Sequence, residues 1–184
     1  MRRQMVGEFQ RVGRELGRLG LISSHSGNLS VRFGEGILIT RRGAMLAALQ
    51  EEDLVEAPLE GEVPAASREL PVHQAIYRET GARAILHCHP PCAIALSLKA
   101  TEIVPLDAEG RYILGRVPVV SVQQSIGSQE VAEALPIYLK ANRIAMVRGH
   151  GSFAIGETLE ESLMRSSALE ASARILILAK VLRL

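Results

Sequence analysis

The sequence has 184 residues, 47% of them hydrophobic and 22% charged, and these proportions exclude a wholly disordered chain. A formal net charge of +1 excludes a general binder of nucleic acid, and an aromatic content of 3% leaves few rings on which bases could stack. The length fits one domain over residues 1–184, because two separate cores would each be small.

The sequence carries no pattern typical of membrane insertion or secretion. No apolar stretch reaches the roughly 20 residues of a membrane-spanning helix. The basic start Met1–Gln4 is not followed by the apolar segment of a secretory signal. We therefore expect a cytoplasmic protein with no membrane partner. Cys88 and Cys92 are too few for a disulfide framework and are predicted to be buried free thiols.

Hydrophobic periodicity predicts helices and strands along the whole chain. An amphipathic helix from Met5 to Leu19 ends at Gly20, and Leu29–Phe33 and Ile37–Thr40 form a hairpin. The stretch Glu56–Ser67 is predicted to be a loop that leaves room for an edge strand. The later predicted elements are a helix from Ser67 to Gly81, a strand Ala84–His89, a helix Ala93–Leu98, strands Tyr112–Leu114 and Val117–Val120, a helix Ser128–Ala141, strands Ile144–Val147 and Ser152–Ile155, and a helix from Thr158 onward. This order predicts an α/β fold.

The first candidate for chemistry is the His87-Cys88-His89 segment at the end of a predicted strand. Side chains alternate along a strand, so the two imidazoles share a face, roughly 7 Å apart at their Cα atoms, and Cys88 points to the other face. Two imidazoles on one face can bind a single ion. Two unrelated polar residues at a strand end are an equally good interpretation of this spacing alone.

His150 follows another apolar strand and is flanked by Gly149 and Gly151. Glycines allow a sharp turn and a close approach of other groups, although a structural histidine fits this pattern equally well. Together with the histidine pair, His150 gives three imidazoles at strand ends. Three protein ligands with an open position are typical of a catalytic zinc site, whereas a structural site is closed by four ligands.

Several other polar residues could either take part in the chemistry of a site or only stabilise the local structure. Glu69 lies in the first turn of a predicted helix, where the helix dipole favours a carboxylate, so it is either a site residue or a cap. His73 is interpreted as a packed helix histidine and His25 as a local loop residue. The loops Ser26–Ser30 and Thr40–Gly43 carry donors and arginines suited to a phosphate, and ordinary turns are the alternative.

Five segments in this order resemble the class II aldolase/adducin family. They are SGNLS (26–30), LIT..G (38–43), S.EL..H (67–73), HCHP (87–90) and RGHG (148–151). The resemblance implies a single three-layer α/β/α domain around a mainly antiparallel sheet. It also implies a fourfold homotetramer with its sites between subunits.

The resemblance further assigns roles to residues. It implies zinc held by His87, His89 and His150, with Glu69 as a ligand in the free enzyme and as acid/base in turnover. Three imidazoles and a carboxylate also accept Mn²⁺ or Co²⁺. The family's phosphate pocket maps onto Gly27, Asn28, Gly43 and Ser67. Family members that cleave L-fuculose 1-phosphate typically carry small hydroxyl residues at positions 42 and 68, and we include Arg42 and Arg68 in the predicted pocket.

The activity implied by the resemblance is metal-dependent cleavage of a ketose 1-phosphate, such as L-fuculose 1-phosphate, to dihydroxyacetone phosphate and an aldehyde. Alternatives are a sugar-phosphate 4-epimerase or ketose-phosphate dehydratase of the same family, a non-catalytic adducin-like binding module, and a metallohydrolase, whose usual barrel needs ~250 residues. An aromatic hydroxyl expected after the histidine pair is missing, so Tyr112 and Asp107 are the candidate proton donors to the aldehyde.

Overall fold

The computed structural model describes residues 2–183 and contains one eight-stranded sheet. Its strands are β1 (Asn28–Phe33), β2 (Gly36–Thr40), β3 (Leu54–Ala57), β4 (Ala84–Cys88), β5 (Glu102–Ile103), β6 (Val117–Val120), β7 (Ile144–Val147) and β8 (Gly151–Gly156). Their order across the sheet is β3-β2-β1-β4-β8-β7-β6-β5. Neighbouring strands are antiparallel except β6 and β7, which are parallel, so the predicted mainly antiparallel sheet is confirmed.

Helices cover both faces of this sheet. They are α1 (Arg2–Arg18), α2 (Leu70–Glu79), α3 (Pro91–Ser97), α4 (Ala108–Ile113), α5 (Gln129–Leu139) and α6 (Leu159–Leu182), and two short 3-10 turns lie at Leu46–Ala48 and Glu51–Asp53. Within residues 2–183, none of these helices has the length and apolar character needed to cross a lipid bilayer.

The two faces of the sheet bury different cores because successive side chains point to opposite sides. On one face, Tyr77 of α2 and Leu135 of α5 pack with Phe153 of the sheet. On the other face, Phe9 of α1 packs with Leu86 of the sheet, and α3 and α6 continue this layer. The predicted α/β/α layering is therefore confirmed.

The polar loops meet at one end of the central strands. The antiparallel register pairs Asn28 of β1 with His87 of β4, and His87 with Phe153 of β8. The end of β4 therefore lies beside the start of β1 and the start of β8. Since β2 runs antiparallel to β1, the loop after Thr40 emerges at the same end of the sheet.

Three sequence predictions about local structure are wrong. Tyr112–Leu114 is not a strand, because Tyr112 lies in α4, whose first turn is capped by Asp107 accepting the Gly110 N–H at 2.7 Å. Cys92 is only half-buried, although Cys88 is fully buried and both thiols are free, as predicted. The predicted helix after Ser67 begins later, at Leu70.

Candidate metal centre

His87 is held rigidly at the end of β4. Its Nδ1 donates to the backbone oxygen of Ser152 at 3.0 Å, and its ring stacks on Phe153 with the ring centroids 4.1 Å apart. A proton on Nδ1 leaves the Nε2 lone pair unprotonated. This outer hydrogen bond is the type that fixes the tautomer of a metal-binding histidine.

His89 follows directly after the strand and turns its ring back onto His87. Its backbone N–H donates to the Leu21 oxygen at 2.7 Å, and the two Nε2 atoms are 3.0 Å apart. The third ring, His150, has its centroid 4.7 Å from that of His87 and 5.1 Å from that of His89. One ligand atom from each of the three lies within 4.8 Å of the others. We call His87, His89 and His150 the histidine triad.

The two glycines that flank His150 have different reasons to be glycine. Gly149 has a φ of +66°, which an L side chain rarely adopts. At Gly151, a Cβ would lie 2.4 Å from the Cys88 oxygen and 2.7 Å from Cδ2 of His89, so the glycine lets β8 approach the histidine pair. The turn and the close approach that were predicted from the sequence both occur.

The electrostatic state of the triad suits a metal ion. Burial, followed by the neighbouring imidazoles, holds the pKa of His87 well below its usual range, and burial lowers the pKa of His89 to about 4. Both rings are therefore neutral at pH 7, as metal ligands must be. Three buried polar atoms around the triad have no hydrogen-bond partner within residues 2–183, namely Nδ1 of His150, Oε2 of Glu69 and Oδ1 of Asn28. The residues present therefore fit a divalent metal ion.

Glu69 lies just before α2 and turns its carboxylate toward the triad. Its Oε1 is 4.0 Å from Nε2 of His150 and accepts the backbone N–H of Gly127 at 2.9 Å. Glu69 occupies the N-cap position of α2, but its side chain makes no cap hydrogen bond there and bonds to Gly127 instead. Burial raises the pKa of Glu69 to about 7, against the opposing effect of the Gly127 N–H. A carboxylate with a pKa near neutrality can exchange a proton at physiological pH.

The four predicted metal-site residues and the six predicted phosphate-pocket residues line one cavity of about 400 Å³, which we call the site cavity. Its lining residues are His25, Ser26, Gly27, Asn28, Arg41, Arg42, Gly43, Ser67, Arg68, Glu69, His87, His89, Ile126 and His150. Arg41 is paired with Asp53 at 2.6 Å, whereas no salt bridge to a described carboxylate forms at Arg42 or Arg68. These two guanidinium groups give the cavity a positive charge beside the triad.

Two predicted proton donors lie outside the site cavity. Tyr112 is 92% exposed on α4, and Asp107 caps the same helix, so neither reaches the triad within this chain. His73 is a packed helix histidine, as predicted, because its Nδ1 lies 2.7 Å from the buried hydroxyl of Ser30.

The sequence reasoning missed the loop 121–127, which reaches the site from the other side. Gly127 bonds to Glu69 through its backbone N–H, and Ile126 lines the cavity. A backbone donor has no signature in the sequence, although a glycine directly before the helix-capping Ser128 was a signal for an unusual backbone. His25, which was interpreted as a local loop residue, also lines the cavity. Ser26 and Arg41 line it too, and both lie in the two loops that were predicted to suit a phosphate.

Comparison with known proteins gives this arrangement a family. Residues 7–177 match the family model described as the class II aldolase and adducin N-terminal domain. The chain belongs to this family. A crystal structure of L-fuculose-1-phosphate aldolase from Thermus thermophilus is 42% identical, with a TM-score of 0.94 over 97% of this chain and 95% of that one.

Curated relatives within the class II aldolase family differ in their named reactions. An L-fuculose phosphate aldolase of Methanocaldococcus jannaschii is 28% identical over 93% of this chain and 94% of its own length. A methylthioribulose-1-phosphate dehydratase of Acidiphilium cryptum is 31% identical over 89% of this chain and 85% of its own length. Class II aldolases depend on a metal ion, and the histidine triad could hold one. The family is thus established, and identities this similar leave both reactions open.

Proposed function

We propose that this class II aldolase family chain is a zinc-dependent aldolase that reversibly cleaves a ketose 1-phosphate resembling L-fuculose 1-phosphate. The products are dihydroxyacetone phosphate and an aldehyde. The observation that carries the proposal is that one cavity combines the histidine triad, the carboxylate of Glu69, and the guanidinium groups of Arg42 and Arg68. The aldolase relatives described above support it further.

The histidine triad, with Glu69 beside it, would hold the metal ion. When bound, the ion supplies Lewis-acid polarisation of the ketone oxygen of the substrate. The hydrogen bond from Nδ1 of His87 to Ser152 keeps Nε2 facing the site. Zinc suits this nitrogen-rich set, and manganese and cobalt are alternatives.

The substrate phosphate would bind where the loops around β1, β2 and α2 meet. Gly27 and Gly43 have positive φ values, which place their loops in tight turns at the cavity wall. Asn28 and Ser67 line the same wall, and Arg42 and Arg68 balance the two negative charges of a phosphate. Anchoring the phosphate there orients the carbon chain of the substrate within reach of Glu69.

Glu69 would act as the base in the synthetic direction and as the acid in cleavage. It takes the proton from the carbon beside the ketone of dihydroxyacetone phosphate and returns it in the reverse reaction. The Gly127 N–H holds Oε1 in place, so Oε2 is the oxygen available for the proton. The chain has only three lysines, none of which lines the site cavity, and this mechanism needs no lysine Schiff base.

A ketose-phosphate dehydratase is the second candidate, because the Acidiphilium cryptum relative carries that name. The same base and phosphate pocket serve either reaction, so only the products separate them. A sugar-phosphate 4-epimerase stays a further possibility from the resemblance. The complete triad with a buried carboxylate beside it speaks against a non-catalytic binding module. A homotetramer and a cytoplasmic location stay predictions.

The decisive experiment compares products. The protein, reconstituted with zinc, is incubated with L-fuculose 1-phosphate, L-ribulose 1-phosphate and methylthioribulose 1-phosphate. Release of dihydroxyacetone phosphate from the first two supports the aldolase. Formation of a dehydrated diketone phosphate from the third, without aldol cleavage, supports the dehydratase. Absence of turnover by the zinc-loaded protein would contradict both enzymatic proposals.

Glu69→Gln tests the proton transfer itself. We expect loss of solvent proton exchange into dihydroxyacetone phosphate by about 10² to 10⁴-fold, the usual contribution of a positioned base. Nuclear magnetic resonance in deuterated water measures this exchange. Glu130→Gln is the matched control, because Glu130 also accepts a backbone N–H of the loop 121–127, that of Gln123 at 2.7 Å, but lies outside the site cavity. Normal exchange in Glu69→Gln would remove Glu69 from this role.

A further inference from the structure

The short helix α3 connects the two parts of the histidine triad. It begins at Pro91, two residues after His89, and its last turn lies against the segment that carries His150. An isolated helix of seven residues is not stable in water, so α3 depends on bonds from its surroundings. Pro90, at the N-cap position, contributes no side-chain hydrogen bond.

The first turn of α3 is capped by a carboxylate from another helix. Glu170 of α6 is only 5% exposed. Its carboxylate oxygens accept the N–H of Cys92 at 3.1 and 3.0 Å, and one of them accepts the N–H of Ala93 at 3.2 Å. A negative charge at this end of a helix also interacts favourably with the helix dipole. Glu170 thus fixes the end of α3 that adjoins His89.

The last turn of α3 is bonded to the segment that carries His150. Nη1 of Arg148 donates to the backbone oxygens of Ser97 at 2.8 Å and Leu98 at 3.0 Å. The fully buried hydroxyl of Ser97 accepts the N–H of Gly149 at 2.9 Å and donates to the Ile94 oxygen at 2.7 Å. The residue directly before His150 and the one before that are both joined to the end of α3.

We propose that α3, fixed by Glu170 at one end and by Arg148 at the other, is a brace that sets the spacing between His89 and His150. Glu170 and Arg148 are then positioning residues for the metal ion, although neither lines the site cavity. The proposal rests on the metal-binding role proposed above for the triad. Metal–ligand distances tolerate errors of about 0.2 Å, so a small displacement of either end of α3 weakens the site.

Zinc affinity, measured by competition with a chromogenic chelator, tests the brace. Arg148→Gln and Glu170→Ala should each weaken zinc binding by about 10- to 100-fold, the usual effect of losing an outer-shell contact. Conservative variants should restore most of it. Arg148→Lys keeps a charged donor, and Glu170→Gln keeps an oxygen that can accept both N–H groups. Urea unfolding of the same metal-free proteins records the accompanying loss of stability.

Arg165→Gln is the matched control. Nη1 of Arg165 also donates to two backbone oxygens, those of Ile155 at 3.1 Å and Glu161 at 3.3 Å. Both acceptors lie at least five positions from a triad histidine, and Ile155 is near the end of β8 that is remote from His150. We expect this variant to lose stability and to keep the wild-type zinc affinity.

The outcomes distinguish the brace from the metal site. The brace is overturned if folded Arg148→Gln and Glu170→Ala bind zinc as tightly as the wild type while their stability is lowered as in Arg165→Gln. This result would leave the proposed metal site intact. Failure of the wild-type protein to bind zinc, manganese or cobalt overturns both. The brace is supported if zinc binds more weakly to Arg148→Gln and Glu170→Ala but with wild-type affinity to Arg165→Gln. The conservative variants Arg148→Lys and Glu170→Gln should then recover most of the zinc affinity.

Discussion

Gly151→Ala is the most direct perturbation of the histidine triad that leaves its imidazoles in the chain. The added Cβ would lie 2.4 Å from the Cys88 oxygen, 2.7 Å from Cδ2 of His89 and 2.9 Å from Cε1 of His87. Ordinary van der Waals contact begins near 3.4 Å. The two rings must therefore retreat by about 0.5 to 0.7 Å, or β8 must move away from β4.

This displacement predicts a loss of metal affinity. Because ligand distances tolerate only about 0.2 Å, we expect Gly151→Ala to bind zinc at least tenfold more weakly, or ~1.4 kcal/mol. Overpacking should also lower the free energy of unfolding by ~1–3 kcal/mol. Chelator competition measures the first effect and urea unfolding of the metal-free protein the second.

Gly149→Ala separates the effect on zinc affinity from the effect on the free energy of unfolding. Its Cβ would meet only Cδ2 of Leu98, at an ordinary 3.4 Å, but its φ of +66° is strained for alanine and costs ~1–2 kcal/mol. This variant should lose similar stability and bind zinc nearly as well as the wild type. Equal zinc affinity in Gly151→Ala and the wild type would refute the close-approach reasoning, because the imidazoles would then have moved without consequence.

Two further predictions concern His73 and the arginines of the cavity. Burial lowers the pKa of His73 to about 3 from 6.5, so only the unfolded chain is protonated there, and the stability present above pH 6.5 is lost as the pH falls toward 3. Urea unfolding between pH 7 and 4 should show a slope of up to ~1.4 kcal/mol per pH unit from this group, missing in His73→Gln, and equal slopes would contradict it. Arg42→Ser and Arg68→Ser should each raise the KM for a ketose 1-phosphate about tenfold or more in steady-state assays, and the same rise with the unphosphorylated ketose would argue against phosphate binding.

The strands that position the triad could be predicted from the sequence because each is a short apolar run bounded by polar residues. Ile144–Val147 has the predicted bounds, and the strand predicted to end at His89 ends one residue earlier. The prediction of a strand at Tyr112–Leu114 was wrong. It relied on an aromatic and two branched side chains, whereas Asp107 caps the start of a helix that includes Tyr112. The oxygen bonded to the Gly110 N–H decided in favour of the helix.

The parts of the site that consist of side chains could be predicted from the sequence, whereas the contacts made by backbone groups could not. The alternation of His87 and His89 anticipated two imidazoles on one face, and their Nε2 atoms are 3.0 Å apart. The hydrogen bond from Gly127 to Glu69 joins positions 58 residues apart and is made by a backbone N–H, which no residue pattern records. For that reason, the sequence alone could not choose between a helix cap and a site residue at Glu69.

The pairing of β4 with β8 also bears on when, during synthesis, the triad would become able to bind the proposed metal ion. His150 lies about 60 residues after His89, and a ribosome that adds 5 to 20 residues per second takes about 3 to 12 s to cover that distance. Throughout this interval the nascent chain offers only the pair His87 and His89, which are two of the three triad ligands. Coordination of the proposed metal ion by the whole triad would therefore begin only once β8 has emerged and paired with β4, so metal binding would follow translation of this segment.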